Sequence, residues 1–340
     1  MSQSTKTTRS RWPAGTLGWP QPRPLLLVIA AALAVALPFV VPDASWLSVA
    51  TLGAIWLTLN QSWNLVIGVA GVWNFGHLAL YAVGAYTVAL LRLHTEVPVV
   101  VAMVGAVLAA ALAAILLAIP ALRLKGIYVA LLTFAFAEVV RLLIISDQSR
   151  VTGGSYGLSG FDGFGLGDID TQLKTWIEYW IVLGVAILTG IAITAIVRSP
   201  LGSALVALRD NPSLAAARGV RPRTYQLVAF AISGAFAGLA GALYALVYEV
   251  VSPTLMGLMP MTLFVTMLVV GGLGTIVGPI VGTVLITFVQ ARLQEWPEAR
   301  LVVLGAVLLV MVVAMPRGVV PALARGWGRF MAWMDADQKR

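Results

Sequence analysis

The chain has 340 residues, of which 60% are hydrophobic and only 11% charged, with a mean hydropathy of +0.93 and a formal net charge of +8. That composition excludes the soluble globular class. The absence of cysteine excludes disulfides, thiolate metal sites and iron–sulfur clusters, and two histidines separated by an apolar segment make a poor metal site.

Apolar runs of about 17 residues or more recur along the chain, which predicts spanning helices; a barrel would need short alternating segments instead. The N-terminus carries Lys6, Arg9, Arg11 and Arg23 and then an apolar run from Pro24 to Val41. That order resembles a signal peptide, but the run is long for one and lacks a clear cleavage site, so an uncleaved first span is expected. About ten spans follow from boundaries at Pro, Gly and charge: near 25–41, 46–67, 72–93, 98–119, 126–145, 176–197, 225–247, 258–270, 276–291 and 299–315. The eighth and ninth are short enough to be half-helices.

Threading these spans alternately with both termini inside places Lys6–Arg23, Arg123 with Lys125, Arg198–Arg223 and Arg317–Arg340 on the cytoplasmic side, and these hold 16 of the 22 Lys and Arg. The other side receives 10 of the 14 acids. This positive-inside asymmetry supports the threading independently of hydropathy. The expected fold is an all-α polytopic membrane protein in two inverted five-helix halves, since an odd-numbered half reverses its repeat. The permease domain spans 24–321, with a periplasmic loop at 146–175, a cytoplasmic loop at 198–224, and cytoplasmic tails at 1–23 and 322–340.

Three motifs interrupt the spans. "NLVIGVAGVWNFGHLALYAVGAYTVALL" breaks an apolar stretch with glycines, Asn74 and His77. Broken backbone is tolerated at membrane depth only against protein or a water-filled cavity. The two polar side chains are thus candidates either to line a translocation path or to bond to neighbouring backbone. "GIYVALLTFAFAEVVRLLII" sets Glu138 and Arg141 three apart on one helical face, the spacing of a structural ion pair. "VGGLGTIVGPIVGTVLITF" places Gly271, Gly272 and Gly274 between two short apolar pieces, suited to close helix packing or to a gate. The Gly-rich stretch "VTGGSYGLSGFDGFGLGDID" lacks a phosphate-loop lysine motif and reads as an ordered outer loop.

The segment "RSPLGSALVALRDNPSLAAARGV" is too charged to cross a membrane. Ser199-Pro200 and Asn211-Pro212 are each an N-cap followed by a first-turn proline, so two short helices are expected, the second ending near Arg218 with Gly219 in the left-handed position. Leu201, Leu205 and Leu208 share one face of the first helix, and Ala215–Ala217 make the second thin. Docking into a groove of another protein fits this mixture; an amphipathic connector on the membrane surface is the alternative.

Taken together, "NLVIGVAGVWNFGHLALYAVGAYT", "LRLKGIYVALLTFAFAEVVRLL", "VTGGSYGL", "LGSALVALRDNPSLAAARGVRPRTYQLVAFAISGAFAGLAGALYA", "VSPTLMG", "VVGGLGTIVGPIVG" and "MPRGVVP" resemble the LivM-like permease subunit of branched-chain amino-acid ABC importers. The resemblance implies that the cytoplasmic segment is the coupling loop, with Leu205, Arg209, Asp210, Asn211, Ala215, Ala216 and Gly219 at the contact with an ATPase. Ala215, Ala216 and Gly219 fit the importers' alanine–glycine pattern, whereas its glutamate has no counterpart here. The resemblance further implies a homologous LivH-like permease partner, two ATPase subunits and a periplasmic substrate-binding protein in a bacterial inner membrane, in contact with lipid. No cofactor is expected on this chain and no nucleic acid among its partners: ATP and Mg would sit on the ATPase subunits, since the chain lacks a Walker lysine motif. Related permeases carry urea, short amides or other amino acids, so substrate stays open at this level. The competing classes are a stand-alone ion-coupled carrier, which would want more acids inside the spans, and a membrane-embedded enzyme, which would want a nucleophile or paired acids.

Overall fold

The computed structural model describes residues 32, 34–36, 38, 44–147, 151–167, 169–293, 296–315 and 318–322. Eleven α-helices are described: α1 Ala44–Asn64, α2 His77–His94, α3 Val99–Ala121, α4 Ile127–Ile145, α5 Thr171–Arg198, α6 Pro200–Asp210, α7 Pro212–Ala217, α8 Pro222–Tyr248, α9 Leu258–Gly271, α10 Gly278–Arg292 and α11 Pro297–Ala314. One two-residue antiparallel pair, Leu158–Ser159 (β1) with Val250–Val251 (β2), ties the α4–α5 loop to the end of α8.

With little hydrophobic drive between helices in lipid, association depends on how closely backbones approach. The centre of the bundle is built accordingly. On α3, Ala102, Ala106, Ala110 and Ala114 recur every four residues and are wholly buried. They receive Gly234 and Gly238 of α8, where an added Cβ would lie 2.3 Å from the Ala114 and Ala110 methyls respectively. Along α2, Gly84 meets the Gly238 backbone and Tyr81 meets Gly241, so α2, α3 and α8 form one tight triad.

A second set of packed pairs repeats the first seven elements on. α2 packs on α3 and α4, and α9 on α10 and α11; α3 and α2 pack on α8, and α10 and α9 on α1; α1 and α8 meet each other. This is the arrangement expected of two related halves. The repeat is unequal in chemistry: where α3 offers α8 alanines, α10 offers α1 the hydroxyls of Thr283 and Thr287, and Asn60 of α1 donates to Thr283 Oγ1 at 2.9 Å.

Four of the described helices, α3, α4, α5 and α8, are long and apolar enough to cross a membrane. The expected spans at 46–67 and 72–93 also fold as helices, but the first turns into a π segment at Leu65–Val69 and the second begins only at His77. α9 and α10, with 14 and 15 residues, are the short pieces expected. At about 1.5 Å per residue neither reaches the roughly 30 Å of a bilayer core. The first span and both tails fall mainly outside the described residues. Within that span, the carbonyl of Ala34 accepts a 2.6 Å hydrogen bond from Tyr179 Oη of α5.

Candidate functional site

The two helix breaks and the α6–α7 segment meet at one end of the bundle. The α6–α7 caps form as the sequence requires: Ser199 Oγ accepts from Leu201 N at 3.2 Å and Asn211 Oδ1 from Leu214 N at 3.0 Å. Gly219 stands at φ +90° with open space around it, so backbone conformation alone selects glycine there. Leu205 and Leu208 are buried, with Leu205 against Leu65, Val69, Ala70, Ile193 and Ala229. The leucine face expected to fill another protein's groove therefore packs on this chain's own body. The outward surface is α7 instead: from Asn211 to Gly219 every residue is exposed except Ala215, and Leu214 is half exposed.

Arg209 points the other way. Its Nη1 donates to the carbonyl of Gly68 at 2.7 Å, and its Nε and Nη2 both engage Asp210 Oδ1 at 3.0 Å. A π turn leaves carbonyls without their usual helical donor, and the arginine satisfies one of them. Its stem lies over Gly71, where an added Cβ would fall 2.3 Å from Arg209 Cγ. On the other side of Gly68 stands the second break. Asn64 Nδ2 donates to the Thr275 carbonyl at 2.9 Å, and Asn64 Oδ1 accepts from Gly274 N at 2.7 Å. Gly274 adopts φ +77°, and Thr275 Oγ1 caps α10 by accepting from Gly278 N at 2.9 Å. Gly271 lies against Gly278 and Gly282, and Gly272 against Gly318, so of the three candidate gate glycines only Gly274 touches the Arg209 junction.

Asn74 and His77 are buried within the chain beside this junction. His77 stacks on Trp63 with ring centroids 5.3 Å apart, and its Nε2 lies 2.9 Å from Ser62 Oγ. The Ser62 hydroxyl gives its single proton to the Leu59 carbonyl, so Nε2 is the donor of the pair. The carbonyl of Asn74 accepts from Trp63 Nε1 at 2.6 Å, and its Oδ1 accepts from Gly76 N at 3.0 Å. Asn74 and His77 thus bond to neighbouring groups across the break, while Asn74 Nδ2 and His77 Nδ1, both buried, make no hydrogen bond among the described residues. The expected result for His77→Ala is a loss of about 3 kcal/mol from the cavity and the lost bond, read as a lower melting temperature in detergent. His77→Phe, which keeps the stack on Trp63, loses only about 1 kcal/mol.

Glu138 and Arg141 form a bidentate pair on α4, with Nε at 3.1 and 3.0 Å from the two carboxylate oxygens and Nη2 closing on Oε1. Both side chains remain partly exposed on the flank of this chain. At the opposite end of the bundle, Lys174 Nζ of α5 bonds to Glu249 Oε1 at 2.8 Å and lies 3.9 Å from Glu178. Arg92 donates to the Asp162 carbonyl at 2.9 Å, and the Gly163 amide donates to Glu249. Glu249 is the one non-glycine with positive φ, at 54°, among the described residues. The sequence reading takes Gly68 and Gly71 only as glycines that permit a broken or tightly packed helix, and it misses Asn64 and the Lys174–Glu249 bridge. The polar run "NQSWN" closing an otherwise apolar span was the available signal for the first. No three His, Asp or Glu among the described residues form a metal-holding group.

A bundle of apolar helices packed through small residues, with paired helix breaks at one end, matches a polytopic helical membrane permease. The family model described as "Branched-chain amino acid transport system / permease component" matches residues 45–312. The chain belongs to that family. It is 32% identical over 320 residues to the high-affinity branched-chain amino acid transport system permease protein LivM of Escherichia coli (strain K12), covering 87% of this chain and 75% of the relative. The LivM protein of Salmonella typhimurium is 31% identical over the same shares. The Salmonella typhimurium LivH permease is 24% identical, over 79% of this chain and 92% of that protein. No solved structure matches the chain.

Proposed function

We propose that the chain is the non-catalytic permease subunit of an ABC importer that moves branched-chain amino acids across the bacterial inner membrane. Its partners in this reading are a LivH-like permease, two ATPase subunits that bind ATP and Mg, and a periplasmic substrate-binding protein. Both tails and the 198–224 loop face the cytoplasm, and the 146–175 loop faces the periplasm. The observation that carries the reading is the α6–α7 pair: one face of α6 is buried on the bundle while α7 stands exposed, as a segment that joins a mobile partner to the membrane domain must be. Similarity to both LivM and LivH supports pairing with a homologous permease.

Reconstitution with candidate permease and ATPase partners tests this. Leucine uptake should require ATP together with the binding protein; uptake by the chain alone on an ion gradient, indifferent to ATP, would sink the reading. A sharper expectation concerns the docking surface. Gly219→Pro and Asp210→Lys should insert normally and co-purify with less ATPase subunit, and normal co-purification of both would remove the docking role of the α6–α7 segment.

A further inference from the structure

We propose that Arg209 is a positioning residue that carries movement of the α6–α7 segment to both helix breaks at once. This rests on the importer reading. Three observations converge. The guanidinium, on a side chain only 21% exposed, is turned inward from the exposed face of α7 and donates to the Gly68 carbonyl. Behind that carbonyl, the π segment and the 274–275 turn are in backbone contact: an added Cβ on Gly68 would lie 2.3 Å from Gly274 N, and Asn64 clamps the two with its pair of hydrogen bonds. Gly71 opens the slot in which the arginine stem lies.

The result is a short linkage, α6 to Arg209 to Gly68 to Asn64 and Gly274. Its far end is attached to α1, α9 and α10, the helices whose continuity fails at this level. Displacement of α6 must drag both breaks or rupture a charge-assisted hydrogen bond of the stronger kind. Asp210 fixes the guanidinium plane from its other edge, so the donor stays aimed at Gly68. Lysine would supply a charge and one donor but not that two-edged hold.

The test measures amino acid taken up per ATP hydrolysed in the reconstituted complex. Arg209→Ala should retain its ATPase subunits and hydrolyse ATP while uptake per ATP falls about tenfold, the equivalent of one lost charge-assisted bond. Arg209→Lys should recover part of that loss. Asn64→Ala, far from any docking surface, should uncouple in the same way, and the double variant Arg209→Ala with Asn64→Ala should be no worse than the more severe single. Unchanged uptake per ATP in both Arg209 variants would overturn the proposal. So would a loss of uptake that merely follows a loss of bound ATPase, since Arg209 would then be a docking contact. Failure of the importer reading looks different: in that case the unmodified chain itself shows no dependence on ATP.

Discussion

Gly241→Val is expected to eliminate the folded protein, and Gly84→Val to do nearly as much. The Cβ of any residue at 241 would lie 1.9 Å from the Tyr81 carbonyl oxygen, and one at 84 would lie 2.2 Å from the Gly238 oxygen and 2.4 Å from its Cα. Every obstacle is main chain of a packed helix, so no rotamer relieves it. α2 and α8 would have to separate, and with them the alanine ridge of α3 would lose the glycines of α8. Overpacking at a core site ordinarily costs about 1–3 kcal/mol when side chains can yield; here they cannot, so the loss lies at or above the top of that range. Yield of monodisperse protein and melting temperature in detergent are the measurements. Gly184→Ala on α5 is the control: no atom lies within 4 Å of its added Cβ, and the better helix former should leave stability unchanged or raise it by about 0.5–1 kcal/mol.

Gly68→Ala should leave a protein that inserts and assembles but scarcely transports. The new methyl would sit 2.2 Å from Asn64 Oδ1, 2.3 Å from Gly274 N and 2.6 Å from Gly274 Cα. Asn64 can swing away, giving up its bonds to Gly274 N and the Thr275 carbonyl, but the Gly274 main chain cannot, so the 274–275 turn, which is not part of a packed helix, must also shift away from the π segment. Two bonds at about 1 kcal/mol each give a roughly thirtyfold fall in uptake if the linkage must stay intact through the transport cycle. Co-purified ATPase should not change, because the exposed surface of α7 is untouched. Uptake within twofold of the unmodified chain would show that the two breaks work without being clamped together.

Much of this architecture was legible in the sequence because spans, caps and charge asymmetry are local signals. Ser199-Pro200, Asn211-Pro212 and Gly219 gave the ends of α6 and α7, and all three form as expected. What the sequence concealed was direction. Leu205 and Leu208 make an apolar stripe that fits this chain's own bundle as well as a partner's groove, and periodicity carries no sign for inside or outside. The Arg209–Gly68 bond joins residues 141 apart, and Asn64 reaches residues more than 200 further on; no spacing rule announces such pairs. The start of the second expected span moved from 72 to His77 for a related reason. The glycines there were read as a weak point inside a helix, whereas Trp63, Ser62 and Thr133 recruit the intervening backbone and polar groups into bonds that a helix would have kept for itself.

The two faces of α3 impose opposite rules on how its sequence can change over generations. Its inner row accepts nothing larger than a methyl, since each alanine there is wholly buried and two of them meet glycine. Its outer row, Val100, Val104, Leu108, Leu112 and Leu116, runs between 52% and 70% exposed along the flank of the chain, where one branched aliphatic side chain serves as well as another. Drift should therefore run freely along one stripe of this helix and stall on the stripe a half-turn away, so that within a single 23-residue span neighbouring positions age at very different rates.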